Sequence, residues 1–286
     1  MLVGLLAIAL VVVAVWQSAQ AIRASGEVAA LEEEAVDLNQ AYLPPVFGDV
    51  DVEGDALVLR GRAEPEAVVS VLDGGRRVRQ VQADETGAWS LAVAVEPGTA
   101  LDLSLESFVE GEPVAGDEAL LRVPAPGAES GVAQVPLVVL TAPGGPTRVV
   151  QTPFGGPLAD GPLSLDAVDY DPRGSVIVAG RSEAAGRVRL MDAERVLGES
   201  PVGAGERWLF IAPDVLGERL DIAASLLVAD GEVARVAAPL VRLSAGEAVR
   251  QEATVWQVRR VLPGGGEQVS AVFATPPEEP EEESEE

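Results

Sequence analysis

"LVLRGRAEPEAVVSVLD" at residues 57–73 and "DETGAWSL" at 84–91 return 119 residues further on, as "VIVAGRSEAAGRVRLMD" (176–192) and "AGERWLF" (204–210). At that offset Gly61-Arg62 falls on Gly180-Arg181, Asp73 on Asp192 and Trp89 on Trp208, and Leu101-Asp102-Leu103 falls on Leu220-Asp221-Ile222. A gapless recurrence over this span means one unit used twice in tandem, which sets the domain count. Within each copy, short runs alternate apolar and polar residues, as in Ala56 to Leu59, Val69 to Leu72 and Leu101 to Leu105. Turn signals divide them at Asp73-Gly74-Gly75, Asp84-Glu85-Thr86-Gly87, Glu96-Pro97-Gly98 and Glu110-Gly111. Short alternating strands punctuated at this spacing predict an all-β fold of two tandem β-sandwiches. No window of ten residues holds a helical period here. Asp84 and Gly87 predict a tight turn. Gly61, near the end of its strand, predicts a bulge or a close backbone approach, and Gly180 repeats it. Trp89 and Trp208 predict rings that plug the two sandwich cores.

The 286 residues suit about two domains of ~100 residues each, every one large enough to bury its own core. The chain has no Cys, no His and no Lys, and all 20 of its basic residues are Arg. This inventory removes the thiol nucleophile, the imidazole base, the Schiff-base amine and the ligands of a zinc site, so no enzyme activity and no cofactor is expected. A carboxylate-only glycosidase would need two acids in a cleft, and no motif marks such a pair. The formal net charge of −26 argues against nucleic acid and against adsorption on anionic lipid. Asp169-Tyr170-Asp171-Pro172-Arg173-Gly174 spaces acids like a calcium loop but lacks the later bidentate Glu, so it reads as a β-turn and no metal is expected. Asp49, Asp51, Glu53 and Asp55 read as acids that solvate an exposed strand face.

Outside the repeat the chain divides by composition. Residues 1–21 hold an unbroken apolar run, Leu2 to Trp16, and with Gln17 to Ala21 reach ~30 Å as a helix, enough to cross a bilayer. They read as an uncleaved transmembrane anchor with the body exported, as a signal peptide cut after Ala19-Gln20-Ala21, or, by the charge of Arg23 alone, as an anchor with the body in the cytoplasm. Residues 22–44 read as a juxtamembrane helix or stalk ended by Pro44-Pro45. The first sandwich spans 45–123 and the second 163–245. Between them, 124–162 read as a Pro/Gly-rich connector carrying a β-hairpin or edge strands of the second unit, hence as an extended, semi-rigid spacer. Residues 246–274 carry Trp256, Arg259 and Arg260, and 275–286 are a Glu-rich tail expected to be disordered.

Gly61, Ala63, Pro65, Ala67, Val69, Val71, Asp84, Gly87 and Trp89 resemble the pattern G-x-A-x-P-G-A-x-V-x-V…D-x-x-G-x-W of bacterial immunoglobulin-like domains in surface and envelope proteins. Glu66 stands where that pattern has Gly. The second copy departs further, with Gly186 at the Ala position and Glu206 at the turn Gly. The layout as a whole is similar to alphaproteobacterial envelope proteins with a membrane helix, Ig-like units, a "PLVVL-x-x-PGGP-x-RVVQ" connector and a C-terminal LysM module. The connector is matched by Pro136 to Leu140, Pro143 to Pro146 and Arg148 to Gln151. Val249, Gln251, Trp256, Val258, Arg259 and Arg260 can be laid on the LysM opening, without its Pro-Gly and without its second half. Residues 246–274 are therefore a degenerate LysM remnant or a strand pair capping the second unit. The resemblance implies a membrane-anchored envelope protein of the inner membrane with its body in the periplasm. Its implied partner is peptidoglycan, touched through Trp256, Arg259 and Arg260, or else an envelope protein with no glycan involved.

Overall fold

The computed structural model describes residues 42–125, 135–154, 161–212, 217–229, 231–252, 254–261 and 266–274, and these contain strands and turns but no helix. The expected anchor, most of the stalk and the acidic tail lie outside the described residues.

The first copy supplies β1 (Val46–Glu53), β2 (Ala56–Arg62), β3 (Val68–Asp73), β4 (Arg76–Gln82), β5 (Ala88–Ala94), β6 (Leu101–Val109) and β7 (Glu112–Val123). A hairpin follows, β8 (Leu137–Thr141) and β9 (Arg148–Gln151). The second copy supplies β10 (Leu163–Tyr170), β11 (Val176–Ser182), β12 (Gly186–Asp192), β13 (Arg195–Val202), β14 (Glu206–Ala212), β15 (Arg219–Val228) and β16 (Gly231–Val241). The chain then adds β17 (Val249–Gln251), β18 (Val255–Val261) and β19 (Glu267–Phe273).

Four antiparallel sheets result. In the first copy β1-β2-β5 faces β4-β3-β6-β7, and in the second β14-β11-β10 faces β13-β12-β15-β16, so strand order repeats with the sequence. Period-two alternation explains why each pair of sheets closes on a core. Leu57, Leu59, Val69, Val71, Leu103 and Leu105 fill the first, and Val176, Val178, Val188, Leu190, Ile222 and Ala224 fill the second.

The repeat extends to single hydrogen bonds. Asp73 Oδ1 accepts from Asp102 N, and Asp192 Oδ1 accepts from Asp221 N, both at 3.1 Å. Gly61 pairs with Trp89 across the sheet, and Gly180 with Trp208. Both expectations for Gly61 hold. The partner strand slips register beside it, between Phe47 and Val50, and a Cβ on Gly61 would lie 2.4 Å from the Trp89 ring. At Gly180 the slip falls between Leu165 and Ala167 and the ring of Trp208 would be 2.6 Å away. Trp89 and Trp208 are both buried, at 4% and 1% exposure.

The turn expected at Asp84 forms as read. Its Oδ1 accepts from the N–H of Thr86 and Ala88, and Gly87 takes φ +79°. The Thr86 hydroxyl, then these backbone donors, hold the Asp84 carboxyl below its usual range. In the second copy Gly205 rather than position 206 takes the positive φ, and Glu206 turns its carboxylate back to Gly203 N at 3.0 Å.

The added strands depart from the sequence reading. The hairpin extends the first unit's sheet, giving β4-β3-β6-β7-β8-β9, rather than the second unit's. The C-terminal strands extend the second unit's other sheet, giving β14-β11-β10-β19-β18-β17. Nor is the joint an extended spacer. Leu137 to Leu140 is apolar at every position, so β8 must bury both faces. Val138 and Leu140 enter the first core, while Leu137 and Val139 enter a third core with Leu121, Val123, Trp256, Val258 and Val272. The two six-stranded sheets therefore pack back to back, and the described residues from Leu43 on form one compact unit four sheets deep.

Candidate functional site

The joint between the sandwiches is where the polar chemistry of the chain concentrates. Asp169 on β10 is the side chain with the most unusual surroundings. β10 alternates, so Val168 and Tyr170 point into the second core and Asp169 points out of it, towards the turn that closes β8–β9. There it is 1% exposed. Its Oδ2 accepts from Thr147 N at 2.7 Å. Its Oδ1 accepts from Thr147 Oγ1 at 2.5 Å, Ser270 Oγ at 2.6 Å and Gln268 Nε2 at 2.9 Å. Burial pushes the carboxyl's pKa up, and the four hydrogen bonds offset only part of this.

A proton count agrees with that direction. Thr147 Oγ1 and Ser270 Oγ are also 2.6 Å apart, which closes a ring of three oxygens with Asp169 Oδ1. Three short O···O contacts need three protons, and two hydroxyls bring two. A proton on Asp169, the form that burial favours, would supply the third by donating from Oδ1 to one hydroxyl in place of accepting from it.

Across the joint, Arg260 on β18 donates from Nε to Asp102 Oδ1 at 2.9 Å, with Nη2 2.7 Å from the same oxygen. Gln251 Nε2 donates to Pro124 O at 3.1 Å. These bonds join residues of the second unit's sheet to the first unit.

The residues expected to touch a glycan are placed by this architecture. Trp256 is 1% exposed within the third core, so neither ring face is open for stacking on a sugar. Arg260 is spent on Asp102, and its side chain is 6% exposed. Arg259 donates to the carbonyls of Glu247 and Ser244 at 3.0 Å each and pairs with Glu267 at 3.1 Å. The described part of 246–274 consists of strands, and the second of the two sequence readings, strands added to the second unit, describes it. The physical reason is the alternation of Val255, Gln257 and Arg259 with Trp256, Val258 and Arg260, which suits a strand packed on both faces.

The acidic loop at 169–174 is likewise taken up by structure. Asp169 faces the joint, whereas Asp171 Oδ1 caps the turn by accepting from Gly174 N at 2.6 Å and Ser175 N at 3.1 Å. Among the described residues no three acidic side chains converge into a cation site. Asp49, Asp51 and Glu53 stand exposed on β1, and Asp51 pairs with Arg60.

The joint residues Thr147, Gln268 and Ser270 carried no motif, and Asp102 and Asp169 stood out only as part of the repeat and of the acidic turn. The one available signal was β8 itself, since a strand apolar on both faces needs two cores. No protein-family model matches the chain, and no match to a curated protein is found.

Proposed function

We propose that this chain is a non-catalytic, membrane-anchored scaffold of the cell envelope, built from two immunoglobulin-like sandwiches, and that it holds a protein partner. The observation that carries this reading is the joint. Trp256 and Arg260, the side chains best suited to a glycan, are consumed in fastening one sandwich to the other. What is left outward is sheet edge and acidic surface on a rigid body, which suits recognition of a protein segment. The lack of Cys, His and Lys is consistent with a role without covalent or general-base chemistry. The apolar run at Leu2 to Trp16 would tether the body to the inner membrane on its periplasmic side.

The test is retention. The purified protein is incubated in parallel with peptidoglycan sacculi and with detergent-solubilised envelope proteins. Capture of a defined set of envelope proteins, with no co-sedimentation on sacculi, is the expected result. Sedimentation with sacculi that survives Trp256→Ala and Arg260→Ala would overturn it in favour of a wall-binding surface elsewhere on the chain.

A further inference from the structure

The repeat provides its own control for finding a surface with a job. β5 and β14 occupy the same place in their sandwiches. On the outer side β5 exposes Ser90 and Ala92, while the matching positions of β14 are Leu209 and Ile211, 41% and 59% exposed. Beside them, β11 carries Ile177 and Ala179 where β2 carries Val58 and Arg60. One copy is thus apolar at four positions where the other has Val58, the charged Arg60, Ser90 and the small Ala92.

β14 is also the last strand of its sheet, paired with β11 alone, so its far backbone groups lack a strand partner among the described residues. Open edges are normally blunted with charge. β1 follows that rule with three acids, Asp49, Asp51 and Glu53, whereas the outer face of β14 has a single charge, Arg207, beside Leu209 and Ile211. The β8–β9 turn overhangs this strip and leaves two hollows. One, of about 370 Å³, lies against Ile177 and Ile211. The other, of about 440 Å³, lies against Leu209 and is lined by Arg148 and Arg207. Glu118 at the second hollow is engaged by Phe47 N at 2.8 Å. Arg207 makes no hydrogen bond or ion pair through its side chain among the described residues.

We propose that the open edge of β14 is the docking site for an extended segment of a protein partner. The segment adds as a strand, sets apolar side chains at alternate positions against Leu209 and Ile211, and seats a carboxylate beside Arg207 and Arg148. This rests on the scaffold reading above and names the surface that would do the holding. A second copy of the chain fits the edge poorly. Antiparallel self-pairing centred on Leu209 would set Arg207 opposite Ile211 and leave its guanidinium without a carboxylate. The net charge of −26 on each chain opposes close approach as well.

The experiment uses a fluorescein-labelled peptide of alternating Thr and Val with a Glu at each end, so that either strand direction can meet the arginines. Protein variants take the residues of the first copy, Leu209→Ser with Ile211→Ala, and separately Arg207→Ala, which the repeat already shows to be compatible with the fold. The expected result is saturable binding that weakens at least tenfold in the double variant. Arg207→Ala should remove the preference for Glu-ended over Lys-ended peptide, and amides of 206–212 should gain hydrogen-exchange protection on binding. No saturable binding, unchanged affinity in the double variant, or protection confined to another strand overturns the proposal. Envelope proteins captured equally by the double variant would sink this site and leave the scaffold reading standing, whereas capture of none by the wild type would sink that reading.

Discussion

Replacing Asp169 by Ala and by Asn separates a neutral carboxyl at the joint from an ionised one. Asp169→Ala leaves Thr147 N–H buried without its acceptor, while Gln268 keeps a long bond to Gly145 O at 3.4 Å and the two hydroxyls keep each other. One stranded buried donor costs about 1–3 kcal/mol, and the three other lost bonds about 0.5–1.5 kcal/mol each, so about 3–7 kcal/mol is expected. Asp169→Asn keeps an oxygen for Thr147 N–H and offers two protons to the hydroxyl ring, provided Gln268 turns its amide oxygen inward. Its cost at neutral pH should stay under about 1 kcal/mol. The sign of the pH dependence follows from the raised pKa. A folded carboxyl that holds its proton more tightly than the unfolded one stabilises fully below the unfolded value of 3.8, and that stability is lost as pH rises towards the folded value. Within this window the wild type should lose about 1.4 kcal/mol per pH unit relative to Asp169→Asn. Urea denaturation followed by tryptophan fluorescence at several pH values measures both differences. A wild-type advantage over Asn that grows with pH, or equal losses for Asn and Ala, would refute a protonated Asp169.

Other outcomes follow from the repeat and the joint. Gly61→Ala and Gly180→Ala should each destabilise by several kcal/mol, because the new methyl would meet a backbone oxygen at 2.0 Å as well as a Trp ring, and their unfolding midpoints should fall together. Glu66 and Ala193 hold φ of +59° and +52° where the Ig-like pattern and the first copy's Gly74 have glycine, so Glu66→Gly and Ala193→Gly should each raise stability by about 1 kcal/mol in thermal unfolding. Trp256→Ala should cost about 3–5 kcal/mol and loosen the joint, read as faster hydrogen exchange at 137–141 and 269–273.

Sandwich architecture was legible because it rests on local signals. Alternation set the faces of β2, β3 and β6, and Asp84 with Gly87 set a turn that needs no distant partner. The recurrence of Gly61 and Trp89 at Gly180 and Trp208 marked a close approach and a core ring in each copy, and the structure adds that the two are one feature, since the missing side chain makes room for the ring. The joint was not legible in the same way. Asp169 and Thr147 meet only because β10 and β9 belong to sheets packed back to back, and nothing local encodes that packing. Likewise, Trp256 reads as a partner-contact residue, through the LysM resemblance, until the outer face of β7 and β8 is known to cover it. The special face of β14 was hidden for the opposite reason. Leu209 and Ile211 look like ordinary strand residues, and only the matching Ser90 and Ala92, placed on a solvent face by the fold, show that the second copy has changed there.

The two sandwiches form one compact body rather than beads on a spacer. The chain has no Cys, so single cysteines placed at exposed Arg76 and Arg195 can carry spin labels without competing sites. Pulsed electron–electron resonance then reads the distance between the sandwiches. One narrow distance distribution, broadened by Trp256→Ala, is the predicted result. A broad or multiple distribution in the otherwise native protein would contradict the back-to-back joint.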